Sequence, residues 1–186
     1  MKPKAKKVSG ERVLAGKLLN LDVDQVIEPH SSHPARREVV RHPGAAAVVP
    51  CLPGAKIVLV RQYRYALDTW LWEIPAGILE PDEKPKDCAA RELSEETGYR
   101  AGRLSLLATL HSSPGFSDEV ISIFRAESLE AGKAKPDPGE SLEVRIFDTL
   151  EAVEMIARGE ITDSKTVAGI LLAARDLYPE AGIKPE

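Results

Sequence analysis

The chain of 186 residues is short of several residue types, and each shortage excludes something. It has two cysteines, Cys51 and Cys88, too few for a disulfide framework and without the spacing of a metal site. Both stand among small apolar neighbours, which predicts buried thiols and a reducing, cytoplasmic setting. No apolar run approaches the roughly 18 residues of a membrane span, so no membrane association is expected. The beginning, MKPKAKK, is basic but lacks the apolar core of a secretory signal; it is expected to fray. An excess of positive charge is missing too: the net charge of -4 argues against a general nucleic-acid binder. His30, His33, His42 and His111 have no HExxH-like spacing. Ser112, Ser113 and Ser117 have no histidine–acid partners in view, which argues against a serine nucleophile. Internal repeats and low-complexity tracts are absent. With 43% hydrophobic and 29% charged residues, what remains is an ordinary globular composition.

Periodicity gives the coarse organisation. LLNLDVDQVI alternates Leu19, Leu21 and Val23 with polar residues, the period of a half-buried strand, and REVVRH follows as another strand after the loop EPHSSHPAR. AAAVVPCLPGAKIVLVRQY reads as two apolar strands around a Pro-Gly turn. TWLWEIPAG, LSLLATL, EVISIFRA and LEVRIFD are further strands, with HSSPGFSD and AGKAKPDPGES as loops. Two helices close the chain: DTLEAVEMIARG, capped by Asp148, and SKTVAGILLAARDLYP, with Val167, Ile170, Leu171, Ala174 and Leu177 on its core face. The expected class is α/β (α+β): a mixed β-sheet sandwiched between helices, over residues 44–180. Residues 1–43 form a small strand-rich N-terminal extension, too small to bury a core alone and expected to pair two chains into a homodimer.

One segment carries the chemistry. GILEPDEKPKDCAARELSEETGY crowds Glu92, Glu95 and Glu96 into five residues, beside Arg91 and Glu83. Pro85 and Asp87 suit a helix start and Gly98 a helix end, and at ~100° per residue Ala89, Ala90, Leu93 and Thr97 share a core face. Glu92 and Glu96 then stack on adjacent turns with Glu95 on the flank, so three carboxylates can converge beside the core. Such oxygen donors suit Mg²⁺ or Mn²⁺. The bland reading of the same letters is a solvated acidic face.

The spacing Gly77, five residues, Glu83, seven residues, Arg91-Glu92-Leu93, one residue, Glu95-Glu96, one residue, Gly98 resembles the Nudix box at every fixed position. Only the closing Tyr99 departs from the usual aliphatic residue. The resemblance implies the Nudix fold and hydrolysis of a nucleoside diphosphate linked to another group. It implies Glu92, Glu95, Glu96 and the Ala76 carbonyl as metal ligands, with Gly77, Glu83, Arg91 and Gly98 as structural residues of the box.

Outside the box, VRQYR, WEIPAGILEP and SSPGFSDE resemble the ADP-ribose pyrophosphatases and their relatives acting on nucleotide sugars. That likeness implies substrate contacts at Arg64, Glu73 and Glu119. It also implies a catalytic glutamate, acting as base, metal ligand or both, on the loop KPDPGESLEV. Glu140 is the match there, assisted by Glu96, with Glu143 as the runner-up. Relatives that sandwich adenine between N-terminal aromatic rings differ from this chain, whose residues 1–62 contain no Phe, Trp or Tyr; Arg37 can stack on a base instead. A GDP-sugar or another nucleotide sugar is therefore the alternative substrate. A catalytically silent ADP-ribose sensor is the alternative of another class.

Overall fold

A computed structural model describes residues 2–135 and 141–177, so Glu140 lies outside the described residues. The chain divides into two compact units. One comprises residues up to Gly44 together with His111–Val120; the other comprises Ala45–Leu110 and the chain from Ile121 on. Among the described residues, no helix is long and apolar enough to cross a membrane.

The first unit is a three-stranded antiparallel sheet, β1 (Lys6–Ala15), β2 (Asn20–Ile27) and β3 (Pro34–Arg41), in the order β1-β2-β3. Of the start expected to fray, residues 2–5 lie in no strand and Lys6 and Lys7 enter β1, a strand that the letters do not announce. All ten of its residues are exposed, so KKVSGERVLA has no buried face to impose a period of two on its letters, and the pairing shifts register twice along it. The unit is held by charge. Arg41 reaches Asp22 (3.0 Å), the buried Asp24 (3.2 Å) and Asp118 (3.1 Å), and Asp22 also accepts from Arg12 at 2.7 Å. These two arginines, Arg12 foremost, pull the Asp22 carboxyl down to about 2. Backbone bonds Val40 N to Phe116 O and Asp118 N to Val40 O, with His42 N donating to Asp118, lace HSSPGFSD onto the end of β3.

The second unit is a seven-stranded mixed sheet. Its strands are β4 (Ala45–Leu52), β5 (Lys56–Arg64), β6 (Thr69–Glu73), β7 (Ala76–Ile78), β8 (Arg100–His111), β9 (Val120–Glu130) and β10 (Leu142–Asp148). The main path runs β10-β5-β4-β9-β8, with β6 on β5 and β7 on β4. β4 runs parallel to β9 and antiparallel to β5 and β7. The central strand reads AAAVVPCL without alternation because both faces are covered. Ala45, Ala47, Val49 and Cys51 join one core with Ile57, Leu59, Met155 and Ile170. Ala46 and Val48 join the other with Cys88, Ala89 and Leu93. The helices α2 (Thr149–Ala157) and α3 (Ser164–Leu177) supply the first core, and α1 (Pro85–Glu92) the second. Asp148 caps α2 through a 2.9 Å bond from Leu150 N. α3 is rotated from its expected face. Thr166, Gly169, Ile170 and Ala173 are buried while Leu171 is 45% exposed, because Gly169 lies so close to Ile74 and Val49 that even a Cβ there would meet them at 3.0 Å.

Candidate active site

α1 and the turn after it carry the acidic cluster. Pro85 sits in the first turn, where its missing N–H costs nothing. Cys88, Ala89 and Leu93 are buried, whereas Ala90, expected on this face, is exposed. After Glu92 the helix widens: Leu93–Thr97 form one π-helical turn, closed by Gly98 at φ 78°. Expected positions at 100° per residue do not hold beyond Glu92, and Glu96 comes to lie only 6% exposed.

Arg91 organises the carboxylates. Its Nε and Nη2 hold both oxygens of Glu83 at 2.9 Å, and Nη1 reaches Glu92 Oε1 at 2.5 Å and Glu95 Oε2 at 3.1 Å. Arg91 thereby draws Glu83 down to about 2, and its own pKa is raised by the same carboxylates, Glu83 first. Among the described residues, no three acidic, His or Cys side chains are gathered into a cluster able to hold an ion. The expected convergence is not made in this arrangement, because Glu92 and Glu95 turn to the nearest cation, Arg91.

The surroundings nevertheless suit a hard divalent cation. The groups expected as donors, Glu92, Glu95, Glu96 and the Ala76 carbonyl, all offer oxygens. Gly77 on β7 supplies the room: a Cβ there would lie 1.8 Å from Glu92 Oε1 and 2.2 Å from its carboxyl carbon. Only glycine lets that carboxylate rest against the strand beside Ala76. Behind it, Cys88 Sγ lies 3.6 Å from Gly77 O, and burial pushes the thiol up to about 12, so it is inert packing.

A second ionic group lies on β5, β6 and α3. Glu73 is 2% exposed and accepts two bonds from Arg64, Nε to Oε1 at 2.6 Å and Nη2 to Oε2 at 2.7 Å. Lys165 donates to Glu73 Oε2 at 2.5 Å and to Asp163 Oδ2 at 2.9 Å. Burial pushes Glu73 up, but Arg64 and Lys165 pull harder, and its pKa ends below the ordinary carboxylate value. Arg64 is raised first by its bond to Glu73; burial opposes this, and the charges of Glu73, Asp163 and Glu96 add to it. Lys165 and Asp163 escaped sequence reasoning. Lys165 is 92 residues from Glu73, and nothing local marks it as a partner.

Of the remaining expected residues, Arg37 and Glu119 lie in the first unit and Glu143 in the second. Arg37 is exposed on β3, and its Nε and Nη2 donate to Glu28 Oε1 at 3.0 and 2.6 Å. Glu119 Oε1 lies 3.7 Å from His42 Nε2. Glu143 is on β10, opposite Arg61, at 3.7 Å.

Gly98 and Gly132 meet back to back: a Cβ on Gly98 would lie 2.6 Å from Ala134 N, and one on Gly132 would lie 2.7 Å from Gly98 O. Lys135 N donates to Glu95 O at 2.8 Å, so residues 132–135 are tied to the wide turn.

Comparison with known proteins places these features in context. A family model described as the NUDIX domain matches residues 40–169. The chain is 38% identical over 167 residues to an ADP-ribose pyrophosphatase of Bacillus subtilis (strain 168), covering 89% of this chain and 90% of that protein. It is 40% identical over 167 residues to a methanol dehydrogenase activator of Bacillus methanolicus, with the same two coverages. A crystal structure titled as an ADP compounds hydrolase superposes with a TM-score of 0.85 at 20% identity, over 97% of this chain and 98% of that one, a likeness of fold.

Proposed function

This chain belongs to the Nudix family, and from that premise we propose that it hydrolyses the diphosphate of a nucleotide sugar, with ADP-ribose as substrate and AMP and ribose 5-phosphate as products. The observation that carries the choice of substrate is the extent of the likeness to the Bacillus subtilis enzyme. It takes in 89% of the chain, beyond residues 40–169, so it includes part of the N-terminal extension as well as the family domain.

Glu92, Glu95, Glu96 and the Ala76 carbonyl would hold Mg²⁺, or Mn²⁺ in its place, with Glu140 as a further ligand or the base. Such an ion, when bound, would supply a water of lowered pKa and charge neutralisation at the diphosphate. The protein's own residues do the rest. Gly77 leaves Glu92 its place against β7, and Arg91, clamped by Glu83, supplies a fixed positive edge to the same carboxylates. Arg64 offers a planar fork to phosphate oxygens, and Glu119 accepts from ribose hydroxyls. Glu73 acts on substrate through Arg64, since both of its oxygens are taken. Arg37 is bonded to Glu28 by its edge and so keeps its flat face for a base. Glu140 takes the proton of the attacking water as the new P–O bond forms and the bridging P–O bond breaks.

The active unit is a homodimer. Val8, Val13, Leu14, Leu18 and Leu19 are each about half exposed on and beside β1, an apolar surface that a second copy would cover.

The test is a panel of ADP-ribose and GDP-mannose with Mg²⁺ or Mn²⁺, with Glu96→Gln as control. We expect AMP release from ADP-ribose to exceed GMP release from GDP-mannose, and Glu96→Gln to lose orders of magnitude in kcat. Faster GMP release would make it a GDP-sugar hydrolase. Binding of ADP-ribose with no turnover of either compound would make it a sensor.

A further inference from the structure

The ionic group on β5, β6 and α3 is more elaborate than its apparent task requires. Arg64 and Glu73 stand on neighbouring antiparallel strands, opposite Thr69 and Val60 respectively; their side chains meet, and the fork of Nε and Nη2 already satisfies both carboxylate oxygens. Yet Lys165 is brought in from the first turn of α3, with its side chain only 12% exposed, to bond Glu73 Oε2 as well. Its position is itself fixed. Asp163 accepts from Lys165 Nζ at 2.9 Å, from Thr166 N at 3.0 Å and from Thr166 Oγ1 at 2.5 Å, and Thr166 Oγ1 in turn accepts from Ile74 N at 3.0 Å. The start of α3 is thus stapled to the chain just beyond β6, and the ammonium is held where it locks the buried carboxylate.

The locked carboxylate fixes Arg64 in turn. One edge of the guanidinium, Nε and Nη2, is used on Glu73; among the described residues, Nη1 donates no hydrogen bond, and the side chain is 41% exposed. β5, which carries Arg64 at its end, runs against the π-helical turn bearing Glu95 and Glu96. A guanidinium held on one side by a buried anion can rotate only about that pair, so its open edge keeps one direction.

We propose that Lys165 is a positioning residue for hydrolysis: through Glu73 it holds Arg64 with its Nη1 edge presented to a substrate phosphate. This rests on the diphosphatase reading above. With Lys165 gone, the buried Glu73 keeps one cation, which is itself part-exposed. Arg64 then serves as Glu73's sole counterion and is drawn away from the phosphate. The loss falls on binding common to ground and transition states, so KM rises while kcat is kept.

The experiment is a double-mutant cycle on the full chain with ADP-ribose at saturating Mg²⁺. Lys165→Met should raise KM by about tenfold with kcat within about twofold, the scale of one charge-assisted hydrogen bond. Lys165→Arg, which keeps a cation on Glu73, should restore most of the affinity. In an Arg64→Ala background, Lys165→Met should add nothing further to KM. An unchanged KM in Lys165→Met, or an equal further loss in the Arg64→Ala background, overturns the proposal and leaves Lys165 as scaffold. Should Lys165→Met not fold, Lys165→Gln replaces it: its amide keeps a donor for the buried carboxylate but removes the charge, so the same rise in KM is expected; failure of both to fold assigns Lys165 to stability alone and also overturns the proposal. A wild-type chain that hydrolyses neither panel compound overturns the diphosphatase reading instead, and is seen before any variant is made.

Discussion

Replacing Gly77 by alanine adds one methyl group and tests the site more sharply than removing a carboxylate does. The new Cβ would stand 1.8 Å from Glu92 Oε1, where carbon–oxygen contact needs about 3.0 Å, so the carboxylate must retreat by more than an ångström. The obstacle is the far end of a flexible side chain, so the backbone of β7 need not move. Two stability effects oppose each other. The displaced Glu92 gives up its 2.5 Å bond to Arg91, a charge-assisted hydrogen bond worth about 1.5–3 kcal/mol. Alanine in place of glycine restricts the unfolded chain and returns about 0.4–1 kcal/mol, since Gly77 is not among the glycines at positive φ. The net cost is ~1 kcal/mol, about 2–4 °C in Tm for a chain of this size. Activity should suffer far more, because an ångström of misplacement at a reacting centre is worth about 10²-fold. The assay is AMP release at limiting and saturating Mg²⁺, beside a thermal melt. Near-normal rates at limiting Mg²⁺ would refute the argument, since Glu92 would then have no need of its seat against the strand. A fall in Tm of more than about 10 °C would refute it differently, by showing that Gly77 serves packing.

Other outcomes follow from the same geometry. Glu140→Gln should lower kcat strongly and Glu143→Gln mildly, since Glu143 is fixed on β10 opposite Arg61; a large loss at Glu143 with little at Glu140 would mean the base is misassigned. Glu83 has a folded pKa of about 2 against an ordinary 4.5, so its contribution to stability is complete above 4.5 and is lost as pH falls towards 2. Urea melts should therefore show Glu83→Gln less stable than wild type near neutrality, with the gap closing through that acid window; a gap that stays constant with pH would exclude the ion pair with Arg91 as its source. Sedimentation should show a dimer, and a chain beginning at His42 should lose it or fail to fold; a fully active monomer at micromolar concentration would remove the role given to the exposed face of β1.

Much of the fold could be read from the letters because burial writes a period into them. β4 and the Ile57–Val60 stretch of β5 are apolar runs buried on both faces, whereas the alternation of β2 does not follow burial: all its residues are at least part-buried and the most buried is Asp24. β1 was illegible for the converse reason: a strand exposed along its whole length, paired by backbone and by Lys7 and Arg12 to aspartates on β2, leaves no hydrophobic period. The spacing of the box named the acidic residues, but their arrangement depends on a widened helical turn that no residue type announces. Likewise Arg64 and Glu73 are marked by their neighbours in sequence, while Lys165 is a contact made by the packing of α3 on the sheet.

The bonds that flank residues 136–141 bear on how the chain can vary beside its acidic helix. On one side, residues 132–135 are tied to the wide turn by Lys135 N on Glu95 O and by the back-to-back glycines 98 and 132. On the other, Leu142 is already in register with Gln62 on β5. A stretch inserted, shortened or exchanged between those two anchors begins and ends on backbone whose partners lie in the scaffold. Selection, or an engineer, can therefore revise the letters between Lys135 and Leu142 without re-solving the placement of Glu92, Glu95 and Glu96. That separation makes the stretch a cassette in all but one position: the acidic helix is inherited with the scaffold, and the residues around Glu140, the proposed base, can be rewritten beside it.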